Sequence, residues 1–122
     1  MRVFILIISI IYGGSSFAQD FRQYNYAVMT INECENYEEA IKKTNEFIAY
    51  EKTIQPNSQF VRCGMRSDGK MGCIILAESF ETFEENQLFF EKDEEWNRLI
   101  SLAWNKCGIE DYYYKVDTLT FE

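Results

Sequence analysis

The sequence predicts one α+β domain whose elements run β-α-β-β-α-β. Three patterns carry that prediction. Two long stretches place apolar residues at three- and four-residue spacing, as one face of a helix does. Four shorter stretches, rich in aromatic and β-branched residues, alternate as strands do. Between two of them lies Ser67-Asp68-Gly69, a three-residue loop with glycine last. That final position takes a positive φ in the hairpin built from a type I turn and a bulge.

Taken in order, Tyr24 to Asn32 is the first strand. Asn36, with Glu39 three residues on, has the form of a capping box. The helix it opens carries Tyr37, Ala40, Ile41, Thr44, Phe47 and Ile48 on one face, and Gln55-Pro56-Asn57-Ser58 ends it. Gln59 to Arg66 and Lys70 to Phe80 are the hairpin strands. Thr82 and Glu85 repeat the capping pattern and open a second helical region in two pieces. Phe83 to Phe90 forms the first, the charged stretch Glu91 to Glu95 breaks it, and Asp93 is placed to cap the second. Trp96, Leu99, Ile100, Ala103, Trp104 and Cys107 then face the core, Gly108 ends the helix, and Tyr112 to Phe121 is the last strand. Two right-handed split β-α-β units give a ferredoxin-like domain, a four-stranded antiparallel sheet with its two helical regions on one face.

Four cysteines allow three pairings, and this topology selects one. Counting outward from the Ser67-Asp68-Gly69 loop puts Cys63 opposite Cys73, where a non-hydrogen-bonded pair brings side chains closest. Cys34 and Cys107 end the first strand and the second helical region at one edge of the sheet. The expected bridges are therefore Cys63–Cys73 and Cys34–Cys107. On the hairpin, Val61, Cys63, Met65, Met71, Cys73 and Ile75 face the helices. Phe60, Arg62, Gly64, Gly72, Ile74 and Leu76 face the other way, a set too apolar for a face left in water. A second copy of the chain is the expected cover, with Phe60, Ile74 and Leu76 on the dimer face. The alternatives are the chain's own segment 19–23 or another protein.

The N-terminus has the three parts of a secretory signal: Met1-Arg2, an apolar run from Val3 to Tyr12, and small residues at Ser16 and Ala18. Cleavage after Ala18 makes residues 1–18 the signal peptide and 19–122 the domain. The apolar run is short of the ~20 residues a spanning helix needs, so no stable membrane insertion is expected after cleavage. The first cysteine, Cys34, is far from the cleavage point, which does not suit a lipid-anchored protein. Periplasm or cell exterior is the expected location, and four cysteines suit an oxidising compartment. Losing Arg2 takes the 12 Lys and Arg to eleven against 20 Asp and Glu, so the formal charge moves from −8 to about −9. Such a charge repels phosphate backbones, and nucleic acid is not an expected partner. The chain has 0 His. That excludes Ser-His-Asp and Cys-His catalysis, the usual zinc sites and His-ligated haem, and no cofactor is indicated.

The segment Ile74-Ile75-Leu76-Ala77-Glu78-Ser79-Phe80-Glu81-Thr82-Phe83-Glu84-Glu85 resembles the third strand and second-helix start of the dimeric α+β barrel superfamily. Antibiotic-biosynthesis monooxygenase-like and NIPSNAP-like domains belong to it. The resemblance implies a homodimer whose sheets face one another and enclose a small cavity. It implies no single activity. The haem-degrading members use an iron-ligating histidine, which this chain lacks. The cofactor-independent oxygenases use polar and aromatic cavity residues. Asn25, Asn32, Trp96 and Tyr114 are of those types, but none matches a motif position, so no catalytic residue is carried over.

The remaining candidates have plain readings beside the functional ones. Trp96 and Trp104 lie on an apolar helix stripe, as core residues do. Of Tyr112, Tyr113 and Tyr114, only the first and last share a strand face. The acidic run Glu91, Asp93, Glu94 and Glu95 lacks the ligand spacing of a calcium loop and suits a helix start. Arg62 and Arg66 are surface charges or anchors for an anionic ligand. Arg62, Tyr112 and Tyr114 are the expected ligand-binding residues, lining the space between two facing sheets. Three functions follow, in order: a module binding a small apolar or aromatic molecule in or beside the dimer cavity, a cofactor-independent monooxygenase-like enzyme, and an acidic exported inhibitor or docking protein for a basic partner.

Overall fold

The computed structural model of the chain describes residues 21–107 and 114–122. After a 3-10 turn at Phe21–Gln23 come β1 (Tyr26–Asn32), α1 (Tyr37–Ile54), β2 (Gln59–Met65), β3 (Met71–Ala77), α2 (Phe80–Glu91), α3 (Glu94–Cys107) and β4 (Tyr114–Thr120). The strands form one antiparallel sheet in the order β2-β3-β1-β4, the ferredoxin-like arrangement. The two expected helical regions are three helices, because the second breaks between Glu91 and Glu94. Asp93 caps α3 there: its Oδ2 accepts from the Trp96 N–H at 2.9 Å and from the Tyr50 hydroxyl of α1 at 2.7 Å.

The hairpin turns where the glycine allows it. Gly69 has φ +85°, its N–H donates to the Arg66 carbonyl at 3.0 Å, and Arg66 N–H donates to Lys70 O at 2.8 Å. The register places Cys63 opposite Cys73. The two cysteine pairs stand at disulfide distance, Cys63 with Cys73 (Cα–Cα 4.0 Å) and Cys34 with Cys107 (Cα–Cα 4.4 Å). The second pair joins the end of β1 to the end of α3, and the Glu35 N–H donates to the Cys107 carbonyl at 2.8 Å beside it.

Two caps differ from expectation. Asn36 makes no side-chain hydrogen bond to the α1 N-terminus, and Glu39, its expected partner, reaches Lys106 of α3 instead at 3.7 Å. The capping box of α2 opens three residues before Thr82. Ser79 is the cap and Thr82 its third-position partner, so β3 stops at Ala77 rather than running to Phe80. Ser79 Oγ accepts from Thr82 N–H at 3.2 Å, and Thr82 Oγ1 accepts from Ser79 N–H at 3.1 Å.

The helices lie on one face of the sheet. Tyr26, Val28, Ala77 and the nearby Phe83 form one apolar cluster; Ala40, Met71 and Cys107, with Cys34 and Tyr37, form another. The far face carries Ile74 and Leu119 at 49% and 50% exposure, which for side chains of that kind is a large area left in water. Phe21 covers part of it, its ring 5.2 Å from that of Phe60 and edge-on. Among the described residues no helix is long and apolar enough to cross a membrane.

Candidate functional site

Between the two apolar clusters the sheet and helices do not close on one another. They leave a cavity of about 610 Å³, within the range of small-molecule sites. Strand alternation supplies its floor: Val28, Thr30 and Asn32 from β1, Val61 and Cys63 from β2, Cys73 and Ile75 from β3. Helical spacing supplies its roof, with Thr44, Phe47, Ile48 and Glu51 from α1 and Trp96, Ile100, Ala103 and Trp104 from α3. Five aromatic side chains border it, Tyr26, Phe47, Phe83, Trp96 and Trp104. The lining reaches solvent at Glu91, Asn97, Val116 and Thr118, all exposed. On that side β4 joins the described residues mainly through β1.

One wall residue is a buried carboxylate. Glu51 is 5% exposed. Its Oε2 accepts from the Trp96 indole N–H at 3.0 Å and its Oε1 from the Gln59 amide at 3.1 Å. Gln59 Oε1 accepts in turn from Asn86 Nδ2 at 2.9 Å, and Asn86 Oδ1 accepts from the Asn57 backbone N–H at 3.0 Å. Burial raises the pKa of Glu51 above 4.5, while the bonds from Trp96 and Gln59 act in the opposite direction. A carboxylate accepts at about four lone-pair positions, so two committed donors leave acceptor capacity on Glu51 for a ligand. A smaller hollow of about 130 Å³, which shares Ile48, Glu51 and Val61 with the cavity, is lined by Lys52, Gln55 and Phe60 among others.

The expected site residues are not gathered around this cavity. Arg62 stands on the opposite face of the sheet, exposed. Phe60, Ile74 and Leu76 lie on that same far face. Tyr114 opens β4 with its backbone opposite Asn32, and Tyr112 lies outside the described residues. Of the side chains of the types the oxygenases use, Asn32 and Trp96 line the cavity, whereas Asn25 does not. All four cysteines pair as the topology requires, and Cys63, Cys73 and Cys107 border the cavity.

Sequence reasoning missed Glu51 and the polar chain behind it. The signal was present, since Glu51 follows Phe47 by four residues and Ile48 by three. A charge continuing an apolar stripe is the mark of a buried, partnered group. Asn86, 0% exposed, gave no such mark because α2 is polar on much of its surface. Among the described residues, no three of His, Cys, Asp and Glu come together as a metal site would need.

No family model matches this sequence, and no curated protein does. Solved structures match it in fold. SnoaB, a cofactor-independent oxygenase from Streptomyces nogalater, superposes with TM-score 0.55 at 8% identity, over 80% of this chain and 92% of its own. A dimeric ferredoxin-like protein of unknown function from Jannaschia sp. CCS1 gives 0.53 at 14%, over 77% and 96%. A conserved protein of unknown function from Bacteroides thetaiotaomicron, a possible oxidoreductase, gives 0.54 at 12%, over 81% and 99%. The chain therefore shares the ferredoxin-like fold of these proteins. The likeness is one of fold.

Proposed function

We propose that this chain is an exported binding module that takes a small apolar or aromatic molecule in the cavity between its sheet and its helices. The observation that carries the reading is the cavity itself: about 610 Å³, bordered by five aromatic side chains and open at one side. Large apolar side chains fold against one another unless something else is to lie between them. Two cysteine pairs at disulfide distance support a working place outside the reducing cytosol, as does the tripartite N-terminus with residues 1–18 as its signal. The exposed far face of the sheet, and the dimeric protein from Jannaschia that shares the fold, support a homodimer joined through Phe60, Ile74 and Leu76.

Ala103, 4% exposed on α3, borders the cavity, and a larger side chain there fills it from the roof. The neutral fluorophore N-phenyl-1-naphthylamine should brighten on binding the wild type. Ala103→Phe should weaken that binding at least about tenfold, a loss on the scale of one buried aromatic contact, while leaving the circular dichroism unchanged. Binding that survives the substitution places the ligand elsewhere.

One observation favours a second reading. SnoaB is a cofactor-independent oxygenase of this fold, and here a carboxylate with spare acceptor capacity stands in the cavity wall at Glu51. Such a group is placed to take a phenolic proton ahead of reaction with dioxygen. Oxygen uptake with a hydroquinone, lost in Glu51→Leu, supports that reading; none at millimolar substrate removes it.

A further inference from the structure

We propose that the cavity selects organic cations, molecules that join an aromatic or aliphatic body to a protonated amine or a quaternary ammonium. This rests on reading the cavity as a ligand site, and it adds a charge requirement to that reading.

The charged groups that line the cavity are of one sign. Two carboxylates line it, Glu51 in the wall and Glu91 at the mouth, and among the described residues no Lys or Arg does. Lys52 and Arg62, on elements that line the cavity, are not among its lining residues. Lys52 borders the smaller hollow that adjoins Glu51, and Arg62 lies on the far face of the sheet. Residues 108–113 include no Lys or Arg, and the chain has 0 His. An anion that enters therefore loses its water and meets like charge with no cationic side chain to offset it.

A cation meets three favourable things. The carboxylate of Glu51 is held in place by the Trp96 indole and the Gln59 amide, with acceptor capacity to spare for an ammonium N–H. Trp96 packs against Phe47 and Phe90, with ring centroids 5.4 Å and 5.8 Å away, which holds the indole that anchors the carboxylate in place. Ring faces attract a cation, and the rings of Phe83 and Trp104 border the same space. At the mouth, the exposed Glu91 adds the sign of charge that draws a cation inward.

A matched series tests the charge alone: 4-phenylbutylamine (protonated at neutral pH), 4-phenylbutanol and 4-phenylbutyrate. Binding is read by tryptophan fluorescence and calorimetry on protein expressed from the full-length gene. Salt of about 0.15 M screens attraction to the exposed acidic surface. The expected order is amine, then alcohol, then carboxylate, with the amine at least about tenfold tighter than the carboxylate. Ala103→Phe should abolish the amine's advantage along with its binding. Equal affinities, or a carboxylate that binds as well as the amine, overturn the charge requirement and leave the cavity reading intact. An amine that binds Ala103→Phe undiminished is held by the outer surface, which also overturns it. Failure of all three compounds to bind overturns both readings.

Discussion

The backbone N–H of Asn57 and the indole N–H of Trp96 are donors whatever surrounds them, and a chain of three side chains runs between them. Asn86 accepts from Asn57, Gln59 accepts from Asn86, and Gln59 then donates to residue 51. Trp96 donates to residue 51 from the other end. Position 51 must therefore accept on both sides, and a carboxyl group is the side chain that does so. Glutamine at 51 sets one donor against another. Turning Gln59 or Asn86 over only moves the conflict along the chain, until it reaches the Asn57 N–H. Glu51→Gln should accordingly cost about 1–3 kcal/mol in urea denaturation, the scale of one buried unsatisfied group. The same residue predicts a pH dependence. Burial raises the folded-state pKa of Glu51 above 4.5, so the folded chain holds that proton more tightly than the unfolded chain. Its contribution to stability is complete below pH 4.5 and is lost as pH rises through the raised value. The wild type's advantage over Glu51→Gln should then be largest in acid and shrink toward neutrality. A gap that widens with pH would mean the charged form is the one the fold favours.

Two helix starts carry nearly the same letters and behave differently. Asn36 with Glu39 and Ser79 with Thr82 are both spaced as boxes, yet only the second closes. At α1 the chain's entry is already held by the Cys34–Cys107 pair and by the Glu35 N–H bond to Cys107, and Glu39 turns to Lys106. At α2 the start must follow β3 at once, and Ser79 in an extended conformation makes that turn. Ser79→Ala should cost about 1 kcal/mol, whereas Asn36→Ala should stay within about 0.5 kcal/mol of wild type; thermal denaturation of the pair decides it. This is also where the reach of the sequence ends. Period, alternation and the Gly69 turn specify element order, strand register and cysteine pairing, because each follows from geometry that repeats along the chain. The choice between Ser79 and Thr82 does not, since either hydroxyl can lead a box of that spacing. Nor does the cavity. Phe47, Trp96 and Trp104 keep the spacing of a packed core whether or not the facing strand fills the space between them. The sequence places them on the right faces, and only the packing of α1 and α3 over the sheet shows that the space stays open.

The far face of the sheet orders its charges in a way that constrains how two copies can meet. Strand register sets Phe60, Leu76, Ala27 and Leu119 in one row across it, and Arg62, Ile74, Met29 and Asp117 in the next. Arg62 stands on the β2 edge and Asp117 on the β4 edge, with apolar residues between. Two sheets that face one another about a two-fold axis require that axis to lie in the plane between them. If it runs across the strands, β2 faces β2 and each Arg62 confronts its own copy. If it runs along the strands, the β2 edge faces the β4 edge, and Arg62 meets the partner's Asp117 at the same height while Ile74 and Met29 close the middle. The second arrangement pairs opposite charges twice and buries the exposed apolar row. Sedimentation equilibrium of the wild type should show a dimer, and Ile74→Asp should give a folded monomer. Arg62→Asp and Asp117→Arg should each weaken dimerisation about tenfold or more, since each sets like charges opposite one another. The double variant should recover most of that loss, because the pair is restored with its signs exchanged. Single variants that leave dimerisation unchanged turn the axis across the strands, where each position meets its own copy whatever its sign, and a wild type that stays monomeric at high micromolar concentration removes the dimer altogether.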